Sequence, residues 1–329
     1  MANPLRIGTR DSQLAVWQAT LVKEQLEEIG VPSELVYIKS EGDIDLVTPL
    51  YELGVQGVFT KTLDAALLSK RIDIAVHSMK DVPTQLAAGI RQAAVVKRAT
   101  YKDIFVYKGE KEDIEKALEQ TNKEQGISND ELEHLTTHHS PFTIATSSVR
   151  RIAQWLHRYP KHRIEDIRGN VNTRLRKVQE HHWNGAIFAA AGLERINLRP
   201  QTSVDLDWML PAPAQGAIMI VCREEDAFSY DACHAFNDAI TALCTKIERD
   251  FLRRLMGGCS TPISGLAVMD YAQIVFRGNI CSTDGKQKYE IEKAVNISDA
   301  ASLGTVAAEE LLSQPSAAKI VQDIRHAKN

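Results

Sequence analysis

Residues 5–39 read LRIGTRDSQLAVWQATLVKEQLEEIGVPSELVYIK, and this stretch decides the fold class. Leu5 to Gly8 is a short apolar run that predicts a strand, and Leu35 to Lys39 predicts a second. Between them Asp11 to Ile29 has helical apolar spacing, with Asp11 or Ser12 suited to cap its start and Gly30 followed by Pro32 to stop it. Strand, helix, strand at this spacing is a βα unit of a parallel or mixed sheet. The same alternation continues outward through a helix near Lys61 to Ser69 and a strand at Ile72 to His77. It resumes with strands at Ile104 to Tyr107, Phe142 to Ala145, Arg163 to Ile167 and Ala186 to Ala190, and helices at Ser147 to Arg158 and Val171 to His181. Two α/β lobes are expected. From Asn237 onward a helical pattern to Met256, the break Gly257-Gly258-Cys259, strand-like runs (Gly265 to Val268, Gln273 to Ile280, Lys288 to Ile291) and terminal helices predict a third, α+β domain.

With 329 residues and 44% hydrophobic content, the chain is long enough for two or three cores. Met1 to Arg10 lacks an apolar run of signal-peptide length, and no stretch approaches the roughly 18 apolar residues of a membrane helix. A cytoplasmic protein with no membrane partner is therefore expected. The net charge of −4 argues against a nucleic-acid binder, which would carry a basic domain with interleaved aromatics. The five cysteines (Cys222, Cys233, Cys244, Cys259, Cys281) have no C-x-x-C spacing and read as reduced thiols. Residues 110–140, with nine acids against three lysines, read as an inserted surface segment with one helix near Asp113 to Gln120. His134 and His138 stand four apart there, but no cysteine or carboxylate set accompanies them, so no metal site is expected.

Against this acidic background, Arg150 to Lys177 holds nine lysines and arginines and two acids. Seven of the nine are arginine, whose planar fork matches carboxylate or phosphate bidentately. A polycarboxylate or phosphate ligand fits this stretch better than a merely solvated basic face. Ala145-Thr146-Ser147-Ser148-Val149-Arg150-Arg151 places two hydroxyls, two arginines and the free amides of a helix start together, an anion cradle. Asp166 to Arg174 repeats the theme, with Gly169 allowing close backbone approach. His77-Ser78-Met79-Lys80-Asp81-Val82-Pro83 lies where a strand ends, the place where open α/β sheets bind ligands, so Asp81 is a candidate proton donor or cation stabiliser and Lys80 an anion ligand. Cys259 follows two glycines, with Arg249, Arg253 and Arg254 upstream as a possible source of thiolate-stabilising charge. Cys222 and Cys244 read as packed small hydrophobes.

Taken in order, Thr9-Arg10-Asp11-Ser12, the His77 to Pro83 motif, Thr146 to Arg151, Asp166 to Arg174, Ala189-Ala190-Ala191-Gly192-Leu193, Pro211-Ala212-Pro213-Ala214-Gln215-Gly216-Ala217 and Gly257-Gly258-Cys259 resemble the porphobilinogen deaminase (hydroxymethylbilane synthase) family. The motifs cover nearly the whole chain. The resemblance implies two periplasmic-binding-protein-like α/β lobes around a cleft: residues 1–102 with 215–235, and 103–210 carrying the inserted segment. A C-terminal α+β domain, 236–329, would present the cysteine loop. It implies a transferase of haem biosynthesis that joins four porphobilinogen units head to tail with release of ammonia, giving linear hydroxymethylbilane. A dipyrromethane cofactor, bound to Cys259 through a thioether, would prime elongation, and Asp81 would protonate the departing amine and steady the cationic azafulvene. Carboxylate binding would fall to Arg10, Ser12, Lys80, Ser148, Arg150, Arg151, Arg168, Arg174 and Arg195. The implied partner is the small molecule porphobilinogen, with no nucleic acid, acting on a monomer. Two departures stand out: Val55-Gln56-Gly57-Val58-Phe59 replaces the family's common Gly-Lys-Gly-Leu-Phe, and the 110–140 segment is longer than usual. A small-anion sensor on the same scaffold would explain the arginines without needing Asp81 or Cys259, and a nucleic-acid binder would explain only the basic charge.

Overall fold

The structure, a computed structural model, describes residues 3–39, 60–112, 114–116, 118, 142–255 and 261–326. Cys259, the Gln56 motif and most of the inserted segment, His134 and His138 included, lie outside the described residues.

The first sheet combines β1 (Leu5–Thr9), β2 (Ser33–Tyr37), β3 (Ile74–Ser78), β4 (Ile90–Val96) and a strand from much later in the chain, β10 (Ile218–Arg223). Its order is β2-β1-β3-β10-β4, with β1 parallel to β2 and β3, and β10 antiparallel to β3 and β4. β5 (Asp103–Tyr107), β6 (Thr143–Ala145), β7 (Arg163–Glu165), β8 (Gly185–Ala189) and β9 (Ser203–Asp205) form the second sheet in the order β7-β6-β8-β5-β9. Here β6 is parallel to β7 and β8, and β5 is antiparallel to β8 and β9. Both sheets thus have three parallel strands, then an antiparallel strand entering from the opposite lobe, then an edge strand. The interior strands β5 and β10 are buried on both faces, which is why DIFVY and IMIVCR read as unbroken runs rather than alternating ones.

Helices α1 (Gln13–Glu28) and α2 (Lys61–Leu68) cover opposite faces of the first sheet, each lining its own apolar cluster. In the second lobe α3 (Val149–Arg158), α4 (Val171–Glu180) and α5 (Ala190–Glu194) follow β6, β7 and β8 respectively. α6 (Ala227–His234) packs back onto the first sheet. The third sheet is an antiparallel meander of β11 (Ile263–Asp270), β12 (Gln273–Cys281) and β13 (Lys288–Asn296). It shares one core, built on Phe251 and Phe276, with α7 (Ala239–Arg254), α8 (Leu303–Leu312) and α9 (Pro315–His326). At the start of the inserted segment, Lys111, Glu112, Ile114, Glu115, Lys116 and Leu118 are helical, and Ile114 joins the apolar cluster under Phe105 and Tyr107. The segment's first turns therefore pack as core, beyond the surface role expected from its composition.

Two crossing segments, residues 97–102 and 211–217, connect the lobes, and they are bonded to each other. Ala99 N donates to Gly216 O (3.2 Å), and Arg98 Nε to Gln215 O (2.8 Å). Gly216 has φ +87°, and a Cβ there would stand 2.5 Å from Thr100 O, so only glycine permits this approach. Glu248, fully buried on α7, fastens the crossings to the third domain. It accepts from Arg98 Nη1 (2.6 Å) and Nη2 (3.1 Å), from Ala214 N (2.6 Å) and from Ala267 N of β11 (2.8 Å).

Candidate active site

The carboxyl ends of β1 and β3 in the first lobe and of β6, β7 and β8 in the second face each other. Three contacts bridge them: Asn172 Nδ2 donates to Gln13 Oε1 (2.9 Å), Arg195 lies over the Trp17 ring at 5.5 Å, and Arg195 Nη2 donates to Gly216 O (2.7 Å). Each edge feeds a loop or a helix start, so backbone amides and short polar side chains concentrate there.

In the first lobe, Ser12 occupies the N-cap position of α1 with extended backbone, but its hydroxyl makes no capping bond. After β3 the chain makes a single 3-10 turn, Met79–Asp81, closed by Val82 N to Met79 O at 3.1 Å. The turn buries Met79, leaves Lys80 half-buried and sets Asp81 in the open. Ser78 is held by Gln18, whose Nε2 donates to its hydroxyl at 2.9 Å. Below the turn, His77 is buried with Nε2 unpartnered. Burial, with Arg10 nearby, pulls its pKa down to about 4, so the ring is neutral at neutral pH.

In the second lobe, Ser148 caps α3 by position and likewise makes no side-chain capping bond. Ser147 is committed to the scaffold instead: its Oγ donates to Ile167 O and accepts from Ile167 N, both at 2.9 Å. Asn170 caps α4 by accepting from Thr173 N at 2.9 Å. Gly169 has φ +111°, and a Cβ there would meet Thr173 Cγ2 at 2.6 Å, so this glycine serves the turn itself.

The nine cations of the basic stretch separate into three groups. Arg158, Lys161, Arg163 and Arg176 are exposed, and Lys177 sits on α4 beside them in sequence. Arg150 and Arg151 are buried against Asp103, a residue the sequence reading did not single out. Arg150 Nη2 donates to Asp103 Oδ2 (2.6 Å), and Arg151 Nη2 and Nε to Oδ1 (2.7 and 3.2 Å). Gln215 Nε2 adds a fourth bond at 2.9 Å, tying the carboxylate to the second crossing. Arg150 Nη1 and Arg151 Nη1 donate to Leu210 O and Ile187 O. Burial alone would raise the Asp103 carboxyl, but the two arginines hold it well below the ordinary carboxylate range.

Arg168 and Arg174 form the third group. Arg168 Nη1 and Arg174 Nε are buried with no hydrogen-bond partner. Burial, together with the charges of Arg151 and Arg168, lowers the Arg174 pKa to about 10, where it remains cationic at neutral pH; Asp81 acts on it in the opposite sense. Burial also lowers Lys80, which feels Asp81, Arg151, Asp103 and Arg150. The structure thus brings Lys80, Asp81, Arg150, Arg151, Arg168 and Arg174 into one electrostatic neighbourhood, with Arg10 beside His77 and Arg195 toward the hinge. A buried N–H without an acceptor costs on the order of 1–3 kcal/mol, and an acidic ligand would remove that cost. The site therefore suits a compound with several carboxylates. Among the described residues, no group of three histidine, cysteine or acidic side chains could hold a metal ion.

Residues 5–231 match the family described as porphobilinogen deaminase, dipyromethane cofactor binding domain, and residues 242–313 match its C-terminal domain. The chain belongs to the porphobilinogen deaminase family. It is 38% identical over 331 residues to the porphobilinogen deaminase of Acidithiobacillus ferrooxidans, covering 99% of this chain and 100% of that protein. With that of Trichlorobacter lovleyi the identity is 37% over 324 residues, 97% and 96% of the two chains. A solved ancestral cationic amino acid solute binding protein is 14% identical, with a TM-score of 0.41 over 71% of this chain and 87% of that one. Family membership makes the chain a transferase with a dipyrromethane cofactor binding domain, and the unpartnered Arg168 and Arg174 N–H groups fit a cofactor that carries acid side chains.

Cys259 lies outside the described residues, and the three arginines upstream of it make the following contacts. Arg249 reaches the Met79–Pro83 turn, Arg253 pairs with Asp250 at 2.9 Å and Arg254 with Glu309 at 3.0 Å. Cys222, Cys233, Cys244 and Cys281 are buried, and burial raises all four thiols, three of them to about 11 or 12. The packed reading of Cys222 and Cys244 agrees with this. Among the described residues no helix is long and apolar enough to cross a membrane.

Proposed function

We propose that this chain carries out the family reaction in the cleft, with Asp81 as the catalytic acid and Arg10, Ser12, Lys80, Ser148, Arg150, Arg151, Arg168, Arg174 and Arg195 as the carboxylate-binding set. Porphobilinogen binds with its acetate and propionate against this set. Asp81 donates a proton to the aminomethyl nitrogen, the C–N bond breaks, and ammonia leaves. The resulting cationic azafulvene is stabilised by the carboxylate that remains. A carbon–carbon bond then forms to the free α-carbon of the growing chain, which loses its proton, and Asp81 is the group placed to accept it. Four such condensations extend the chain by four pyrroles, and hydroxymethylbilane is released when the bond joining this tetrapyrrole to the primer breaks, the primer's α-carbon taking up a proton and water adding its hydroxyl to the methylene carbon left on the product. Cys259 is the residue that would hold the dipyrromethane cofactor, through a thioether; the bound group would supply the first free α-carbon and stay on the enzyme when product leaves.

The observation that supports this reading is that the exposed Asp81 follows β3 and its charge acts on Arg174, while Arg168 and Arg174 each keep a buried N–H without a hydrogen-bond partner. Arg150 and Arg151 take part while pinned by Asp103, since each guanidinium has five N–H groups and not all are engaged. As working units we propose residues 1–102 with 215–235, 103–210, and 236–329. The reading also takes the protein as a cytoplasmic monomer that uses a small-molecule substrate and no nucleic acid, in keeping with a basic stretch whose first two arginines, Arg150 and Arg151, are buried.

Two experiments test it. Asp81→Asn keeps the shape and removes the charge, a change in transition-state stabilisation of about 3 kcal/mol or more, so turnover should collapse while cofactor is still found by intact mass. Turnover within a few-fold of wild type would refute the assignment. Purified protein should also weigh more than its sequence by one dipyrromethane, an excess that Cys259→Ser abolishes together with activity.

A further inference from the structure

The 3-10 turn that carries Lys80 and Asp81 is closed by one backbone hydrogen bond of its own, Val82 N to Met79 O. A turn of three residues has little internal means of fixing its shape. It is held from outside, by a side chain of the third domain. Arg249 Nη1 on α7 donates to Val82 O at 2.8 Å and approaches Met79 O at 3.4 Å, and Nη2 donates to Pro83 O at 2.5 Å. These carbonyls bracket Lys80 and Asp81 on both sides. The planar guanidinium suits the task because its donors diverge in a fixed fork, so several carbonyls are set relative to one another at once. Arg249 is nine-tenths buried, which shields these bonds from competition by water. Its neighbour Glu248 binds both inter-lobe crossings, so adjacent residues of α7 hold the hinge and the catalytic turn.

We propose that Arg249 is a positioning residue for Asp81: by clamping the Met79–Pro83 backbone it sets where the carboxylate stands in the cleft. The proposal rests on the reading of Asp81 as the catalytic acid, and it assigns Arg249 no contact with substrate. A displacement near 1 Å of a reacting group can cost about a hundred-fold in rate, so losing the clamp should appear in kcat rather than in substrate binding.

The test compares Arg249→Gln, Asp81→Asn and the double variant as cofactor-loaded protein, with activity normalised to loaded enzyme by intact mass. Arg249→Gln should lower kcat by about 10- to 100-fold while KM for porphobilinogen stays within about three-fold. Arg249→Lys, which keeps a cationic donor, should recover part of the loss. On the Asp81→Asn background, Arg249→Gln should change kcat by less than about three-fold, because the group being positioned is gone. Equal fold-losses on the two backgrounds, or a folded Arg249→Gln with wild-type kcat, would overturn the proposal. Should the glutamine variant not accumulate, the lysine variant carries the same comparison: a loss confined to the wild-type background supports the clamp, and an equal loss on both defeats it. A wild-type kcat in Asp81→Asn itself would instead remove the Asp81 reading on which the proposal stands.

Discussion

Arg150 and Arg151 on α3 and Arg168 and Arg174 at and beyond the exit of β7 come from one basic stretch, but the first pair brings its own carboxylate and the second does not. Asp103 neutralises the first pair in the protein itself, so these arginines are structure before they are ligand groups. The second pair has buried N–H groups without a hydrogen-bond partner, a cost retained in the fold that an acidic ligand would relieve. Side chains of one type, close in sequence, therefore divide into a pair neutralised by the protein's own carboxylate and a pair with unpartnered N–H groups. What divides them is a single acid at the start of β5, 47 residues away along the chain.

The comparison breaks most readily at Asp103. Asp103→Asn leaves two adjacent buried cations uncompensated, which should destabilise the protein by about 3–5 kcal/mol in urea unfolding. A loss below about 1 kcal/mol would mean that α3 does not depend on this carboxylate. Next come leucine substitutions in the two pairs. Arg150→Leu should lower stability by roughly 2–4 kcal/mol and disturb cofactor assembly as well. Arg174→Leu should keep stability within about 1 kcal/mol of wild type while weakening carboxylate binding by roughly 2–5 kcal/mol, read as incomplete cofactor assembly or stalled partial chains by intact mass. Equal stability losses in the two variants would erase the distinction.

The pH axis adds a smaller effect and contrasts the lobes. His77, under the first lobe's Met79–Asp81 turn, has its folded pKa lowered from 6.5 to about 4, so between those values the unfolded chain binds more protons than the folded one. Its contribution is complete above about pH 6.5 and is lost as pH falls toward 4, amounting to about 2–3 kcal/mol at the low end. Asp103 in the second lobe, also lowered, loses its contribution only below the unfolded value of 3.8. Urea midpoints at pH 7 and 4.5 should therefore converge more in His77→Gln than in wild type; the same pH-dependence in both proteins would exclude His77 as the source. The smallest effect is expected at Arg158, which is exposed and lies over the Trp208 and Tyr159 rings at 5.0 and 5.6 Å. Arg158→Leu should cost less than about 1 kcal/mol and leave turnover and pyrrole count unchanged.

Much of the fold was legible because the βα pattern is local: residues 5–39 gave β1, α1 and β2, and the glycine, serine and arginine motifs marked the strand ends that line the cleft. What escaped was set by distant partners. β4 followed no helix signal, β9 has only three residues, and nothing within residues 218–223 indicates that the run inserts between β3 and β4. Asp103 reads as an ordinary acid after Lys102, since its meaning lies in Arg150 and Arg151. Glu248 reads as one acid of a charged helix, and Arg249 as one of three cations upstream of Cys259. Glu248 accepts from Arg98, 150 residues away, and Arg249 donates to backbone carbonyls up to 170 residues away. A buried polar residue on an otherwise amphipathic helix was the available signal, and sequence periodicity alone does not tell a buried glutamate from an exposed one.

The position of β10 also bears on how the protein emerges from the ribosome. Among the described residues the strands of the second sheet lie between residues 103 and 205, whereas the first sheet lacks an interior member until residue 223 has been made. Until then the facing edges of β3 and β4 have no strand between them, and long-range pairing of this kind is slow and exposed to misassociation. The lobe translated first is therefore completed last, after the lobe translated second has all its strands. Limited proteolysis of ribosome-bound chains of increasing length should find the second lobe protected before the first; protection in the opposite order would show that β1 to β4 fold without their central strand.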